Sequence, residues 1–123
     1  MRALIVDDSR AMRLVIRRIL GELGVPAEEA ADGAQALDLL GGGVTPDVAL
    51  VDWNMPGMTG VELVQAVRAD PRFAGLRIMM VTSETGADRI QEALACGADE
   101  YLMKPFTPDV LREKLNLLTN SEV

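Results

Sequence analysis

Asp7 and Asp8 form an adjacent acidic pair, and Asp52 opens the segment Asp52-Trp53-Asn54-Met55-Pro56-Gly57. Thr82 closes the run Ile78-Met79-Met80-Val81, and Lys104 stands immediately before Pro105. Carboxylates brought to one spot repel one another and raise their own pKa values unless a cation compensates. An all-oxygen set suits a hard divalent cation, Mg²⁺, Mn²⁺ or Ca²⁺, over zinc, and a small site that keeps several waters suits Mg²⁺ best. A carboxylate is also a nucleophile toward phosphorus, giving an acyl phosphate. A lysine ammonium and a threonine hydroxyl could then neutralise and bind the phosphoryl oxygens. Whether these five side chains meet depends on the elements that carry them.

Ala3 to Val6 is short and wholly apolar, as expected of a strand covered on both faces. Met12, Ile16, Ile19 and Leu23 then recur at helical spacing, with Val15 and Leu20 widening the stripe. Asp8 or Ser9 can cap that helix, and Gly24 with Pro26 stops it. Glu28 to Ala31 is polar and short, so as a strand it belongs at a sheet edge. Asp32 and Gln35 resemble a capping box opening a helix through Leu40, ended by Gly41-Gly42-Gly43. Asp47 to Val51 predicts the next buried strand, stopping at Asp52, followed by a loop to Gly60. Thr59 with Glu62 boxes a helix whose inner face is Leu63, Val64 and Val67. Arg77 to Val81 predicts a strand, and Thr85 with Asp88 opens a helix bearing Ile90, Ala93 and Leu94, closed by Gly97. Glu100 to Met103 is the last strand, and Thr107-Pro108 starts a helix with Leu111, Leu115 and Leu118 inward.

Strand then helix, five times over residues 1–123 with no linker, implies one domain: an α/β, flavodoxin-like (βα)5 three-layer sandwich. Its parallel five-stranded sheet is expected in the order 2-1-3-4-5. Ligands of such sheets sit at the C-terminal strand ends where the order reverses. Asp7 and Asp8 follow the first strand, Asp52 the third, Thr82 the fourth and Lys104 the fifth. Taken singly each has an ordinary reading: a helix start, a turn former, a surface lysine. Their coincidence at the same ends of successive strands favours a site, with Asp52 on the central strand as nucleophile.

Composition narrows the classes. The 123 residues carry 12 basic and 19 acidic side chains, a formal charge of −7, which disfavours binding to a nucleic-acid backbone. The chain has no histidine, so a Ser-His-Asp triad, a histidine general base and a phosphohistidine carried on this chain are excluded. One cysteine, Cys96, allows no internal disulfide and reads as a small buried residue near a helix end. No apolar run reaches transmembrane length and no signal peptide is evident, so a cytoplasmic protein that does not engage a membrane is expected.

Four blocks carry a resemblance: Val6-Asp7-Asp8-Ser9, Val51-Asp52 through Gly60, Val81-Thr82-Ser83, and Tyr101-Leu102-Met103-Lys104-Pro105-Phe106. Over essentially its whole length the chain resembles the receiver domain of two-component response regulators, particularly the single-domain chemotaxis form. The 2-1-3-4-5 order is what this resemblance implies, the family being a familiar instance of it. The resemblance implies that Asp52 is a phosphoacceptor, charged by a histidine kinase or phosphotransfer protein or by a small donor such as acetyl phosphate. It implies Mg²⁺ as cofactor, with Asp8 and Asp52 as direct ligands, Asp7 acting largely through water, and the Asn54 backbone carbonyl as a further ligand. Thr82 and Lys104 are similar to the switch hydroxyl and the phosphate-contacting lysine. Tyr101 resembles the aromatic switch residue, its plainer reading being an edge-strand aromatic with a wet hydroxyl. Asn54 and Glu84 match positions that tune loss of the phosphoryl group, and the Lys104–Pro105 bond is expected to be cis. Trp53 is expected to be a partly exposed ring near the metal.

The face of the fourth helix, fifth strand and fifth helix is the expected partner surface. The chain ends soon after the fifth helix, so its output is expected to pass through another protein unless it is a fragment of a larger regulator. The flagellar motor switch is the first choice of target; a phosphorelay step or control of another enzyme are alternatives. A Mg²⁺-dependent phosphohydrolase is the rival from another class, but it usually needs a second acid where this chain has Asn54. A flavodoxin-like redox module is disfavoured because no phosphate-binding loop for a flavin is evident.

Overall fold

The computed structural model of the chain describes residues 1–83 and 87–123. Five strands alternate with five α-helices: β1 Ala3–Val6, α1 Arg10–Glu22, β2 Ala27–Ala30, α2 Gly33–Gly41, β3 Val48–Asp52, α3 Gly60–Arg68, β4 Arg77–Thr82, α4 Ala87–Ala95, β5 Glu100–Met103 and α5 Pro108–Thr119. A 3₁₀ turn at Pro71–Phe73 lies between α3 and β4. All strands pair in parallel, in the order β2-β1-β3-β4-β5. The parallel sheet with helices on both faces is the one the strand–helix alternation implies, and its flavodoxin-like order is the one expected from the resemblance.

The period-two side-chain alternation of the strands divides the core in two. Leu4, Val6, Ala49, Val51, Ile78 and Met80 face one layer, with Leu63, Val64 and Val67 of α3, Ala36 and Leu40 of α2 and Ala93 of α4. Ala3, Ile5, Val48, Leu50, Met79, Val81 and Leu102 face the other, with Ile16, Ile19 and Leu20 of α1 and Leu111 and Leu115 of α5. Strands buried on both faces read as unbroken apolar runs because neither face meets water. The polar β2 is an edge strand, where its charges remain accessible.

Local signals set the helix starts. Ser9 caps α1, its hydroxyl accepting from Met12 N, while Thr59 and Glu62 form a reciprocal capping box on α3. Thr107 caps α5 with Pro108 in the first turn. Asp32 accepts from Gln35 N, whereas the Gln35 side chain accepts from Ala31 N, one residue before the cap. The expected Thr85 cap of α4 lies outside the described residues.

Three expectations of burial need correction. Val15 is 50% exposed, because at 100° per residue it falls roughly 80–90° from the middle of the α1 stripe and clears the sheet. Leu94 is likewise exposed on α4, where Ala93 makes the buried contact. Cys96 is half-buried, its thiol donating to the Ala93 carbonyl at 3.0 Å, and burial pushes its pKa up. Among the described residues no helix is long and apolar enough to cross a membrane.

Candidate functional site

The register brings the polar strand ends together. Val6 pairs with Val51, so Asp7 and Asp52 each lie one step beyond that pair on neighbouring strands. Thr82 closes β4 beside β3, and the Lys104 amide donates to the Thr82 carbonyl at 2.8 Å, extending the β4–β5 ladder by one bond. Five residues separated by up to 97 positions in the chain thus reach one end of the sheet, at the boundary where strand order reverses.

Asp7, Asp8 and Asp52 can each offer a carboxylate oxygen within 4.8 Å of the others. Asp7 is 2% and Asp52 7% exposed, whereas Asp8 is open to solvent. One Asp7 oxygen accepts from the Ser9 amide at 2.8 Å; the other, Oδ2, is buried and accepts no hydrogen bond. Lys104 Nζ lies 3.6 Å from that oxygen and donates to Asp52 Oδ1 at 3.4 Å. Burial, and then the Asp7 charge, raise the Asp52 pKa from 3.8 to about 6, against the opposing pull of Lys104 and an Asn54 backbone hydrogen bond. One ammonium does not offset the clustered carboxylates. An orphaned buried oxygen within a compact all-oxygen set fits a hard divalent cation such as Mg²⁺. When bound, such an ion supplies charge neutralisation for carboxylate and phosphoryl oxygens.

The site's floor is close-packed. Thr82 is buried at the end of β4, and the Trp53 amide donates to the Val81 carbonyl at 2.9 Å. Trp53 is itself 7% exposed and packs in the core with Met55, which corrects the expectation of a partly exposed ring: continuing the ladder past Asp52 turns the indole inward. Gly60 begins α3 where a Cβ would collide with the Asp52 carbonyl oxygen and approach the Met80 methyl to 2.9 Å. Glycine there lets the helix start directly behind Asp52. Asn54 is exposed in the following loop, and the Lys104–Pro105 bond is cis. Tyr101 is partly buried on β5, with the Lys114 ammonium 4.5 Å from its ring centroid and bonded to Glu100 at 3.0 Å. Glu84 lies outside the described residues.

One contact of the site belongs to no motif. Arg13 Nη1 donates to the Asp7 backbone carbonyl at 2.6 Å, and its Nε donates to Glu29 Oε1 at 3.2 Å. In the sequence α1 is legible through its apolar stripe, its cap and its Gly24–Pro26 stop, none of which points to Arg13. The signal that could have exposed this contact was the pair Arg13 and Arg17, one turn apart, opposite an acidic edge strand.

Residues 3–116 match the family described as response regulator receiver domain. The chain is 48% identical over 116 residues to the chemotaxis protein CheY of Pseudomonas aeruginosa, covering 94% of this chain and 93% of that protein. It is 44% identical over 119 residues to the chemotaxis protein CheY1 of Helicobacter pylori, covering 96% of each. Among solved structures, chemotaxis protein CheY4 of Vibrio cholerae superposes with a TM-score of 0.89 at 39% identity, covering 95% of this chain and 97% of that one.

Proposed function

The chain belongs to the response regulator receiver domain family, and on that premise we propose that Asp52 is the phosphoacceptor of a chemotaxis-type signalling switch. Receiver domains are not enzymes in the ordinary sense; they act as switches that take up and lose a phosphoryl group. The observation that carries the reading is the Asp52 carboxylate itself: buried at the end of the central strand, between Asp7 and Lys104. A histidine kinase or phosphotransfer protein presents a phosphohistidine. An Asp52 oxygen forms the bond to phosphorus as the phosphorus–nitrogen bond breaks, and the bonding pair leaves with the imidazole nitrogen.

Asp7, Asp8, Asp52 and the Asn54 backbone carbonyl hold Mg²⁺ in this reading. Lys104 releases Asp52 and pairs with the new phosphoryl oxygens, while the Thr82 hydroxyl donates to another. Asn54 and Glu84 flank the group and tune its hydrolysis. Phosphorylation adds about 1.5–2 negative charges, which favours a packing in which Thr82 moves toward the phosphoryl group and Tyr101 turns inward. The face of α4, β5 and α5 then changes its affinity for a cytoplasmic target. The flagellar motor switch is the first candidate in this reading, which the similarity to chemotaxis proteins supports.

A phosphotransfer panel tests this. Wild type should be labelled by a cognate kinase, or by acetyl phosphate, with no more than one phosphoryl group per chain and only with Mg²⁺; Asp52→Asn should remain unlabelled. Labelling of Asp52→Asn equal to wild type, or multiple turnovers on ordinary phosphate monoesters, sinks the proposal.

A further inference from the structure

The ligand geometry of the acidic cluster depends on the peptide joining Asp7 to Asp8, and that peptide is held from outside the cluster. The Asp7 amide donates to the Ala30 carbonyl of β2 at 3.1 Å. Its carbonyl, coplanar with the Asp8 amide, accepts from Arg13 Nη1 at 2.6 Å. The Arg13 side chain is only 15% exposed and is aimed by Glu29 Oε1, while the second Glu29 oxygen takes Arg17 Nη1 at 2.6 Å. A planar guanidinium bonded at both ends is a rigid strut between the edge strand and the end of β1. It fixes the plane from which the Asp8 side chain departs, while Ser9 fixes one oxygen of Asp7.

We propose that Arg13, braced by Glu29, is a positioning residue that sets the geometry of the Asp7–Asp8 pair and thereby the preference of the site for Mg²⁺ over Ca²⁺. The inference rests on the reading that the three aspartates hold a divalent cation. Mg²⁺ demands near-octahedral oxygens at about 2.0–2.1 Å, whereas Ca²⁺ accepts looser sets at about 2.3–2.6 Å. Freeing the Asp7–Asp8 peptide therefore costs Mg²⁺ more than Ca²⁺. Loss of the Arg13 charge acts on both dications alike, so the ratio of their dissociation constants isolates geometry.

Calorimetric titration with Mg²⁺ and Ca²⁺ of wild type, Arg13→Met, Arg13→Lys and Glu29→Gln tests the proposal. In Arg13→Met the ratio should move toward Ca²⁺ by about tenfold. Arg13→Lys should move it the same way although the charge is kept, because an ammonium lacks the planar fork. Glu29→Gln should shift the ratio in the same direction by less, because Arg13 keeps its bond to the Asp7 carbonyl. An unchanged ratio in Arg13→Met, or its full restoration by lysine, overturns the positioning role. Should Arg13→Met fail to fold, Glu29→Gln decides, and an unchanged ratio there overturns the role equally. Wild type that binds neither ion overturns the metal reading and this inference with it; wild type that binds, beside variants of unaltered ratio, overturns the inference alone.

Discussion

Replacing Asp52 by asparagine should stabilise the metal-free protein. Burial and the neighbouring Asp7 raise the Asp52 pKa from 3.8 to about 6. A group whose folded pKa exceeds its unfolded value contributes stability that is complete below the unfolded value and lost as pH rises through the folded one. A rise of about two pH units corresponds to roughly 3 kcal/mol, at about 1.36 kcal/mol per unit. Asparagine has no proton to lose, and carboxylates remote from Asp52 titrate alike in both proteins and cancel in the difference. In EDTA the advantage of Asp52→Asn should be about 0.5 kcal/mol at about pH 4 and roughly 3 kcal/mol at about pH 7.5. Urea unfolding followed by circular dichroism across that range measures it. Mg²⁺ at about one hundred times its Kd should then add about 2.7 kcal/mol to wild type and little to the variant, closing the gap. A variant no more stable than wild type at about pH 7.5, or an advantage that does not change with pH, refutes the electrostatic reasoning.

Lys104 sits 3.4 Å from Asp52 and 3.6 Å from Asp7, where it competes with a metal for the same carboxylates. Lys104→Met should therefore bind Mg²⁺ about three- to tenfold more tightly while its labelling by acetyl phosphate slows by at least about tenfold; calorimetry and a labelling time course read the two effects. Tyr101→Ala should be labelled like wild type yet lose the phosphorylation-dependent change in affinity for its target. Retention of that change in a binding assay removes Tyr101 from the switch.

Much of this protein was legible before any tertiary information. The apolar run Ala3 to Val6, the strand expected at Asp47 to Val51 and found one residue on at Val48–Asp52, the caps at Ser9, Thr59 and Thr107, and the glycine stops are local signals, and local energetics honours them. Parallel topology follows from alternation, and once the sheet is parallel its strand ends carry Asp7, Asp8, Asp52, Thr82 and Lys104 to one place. Strand direction and the period-two alternation leave few other places for those side chains.

What only the tertiary structure decided is how much water and charge each group meets. Val15 and Leu94 read as inward from spacing and are exposed, because an apolar stripe is bounded by the partner it covers. Trp53 reads as accessible in a loop and is buried, because the β3–β4 ladder runs past Asp52. The burial that orphans one Asp7 oxygen, the Lys104 shared by Asp7 and Asp52, and the Arg13–Glu29 strut all depend on packing between different elements. Residue types and order determined which chemistry could be assembled at the strand ends; packing decided the burial and pairing that set its electrostatics, because those depend on distances the chain closes only when it folds.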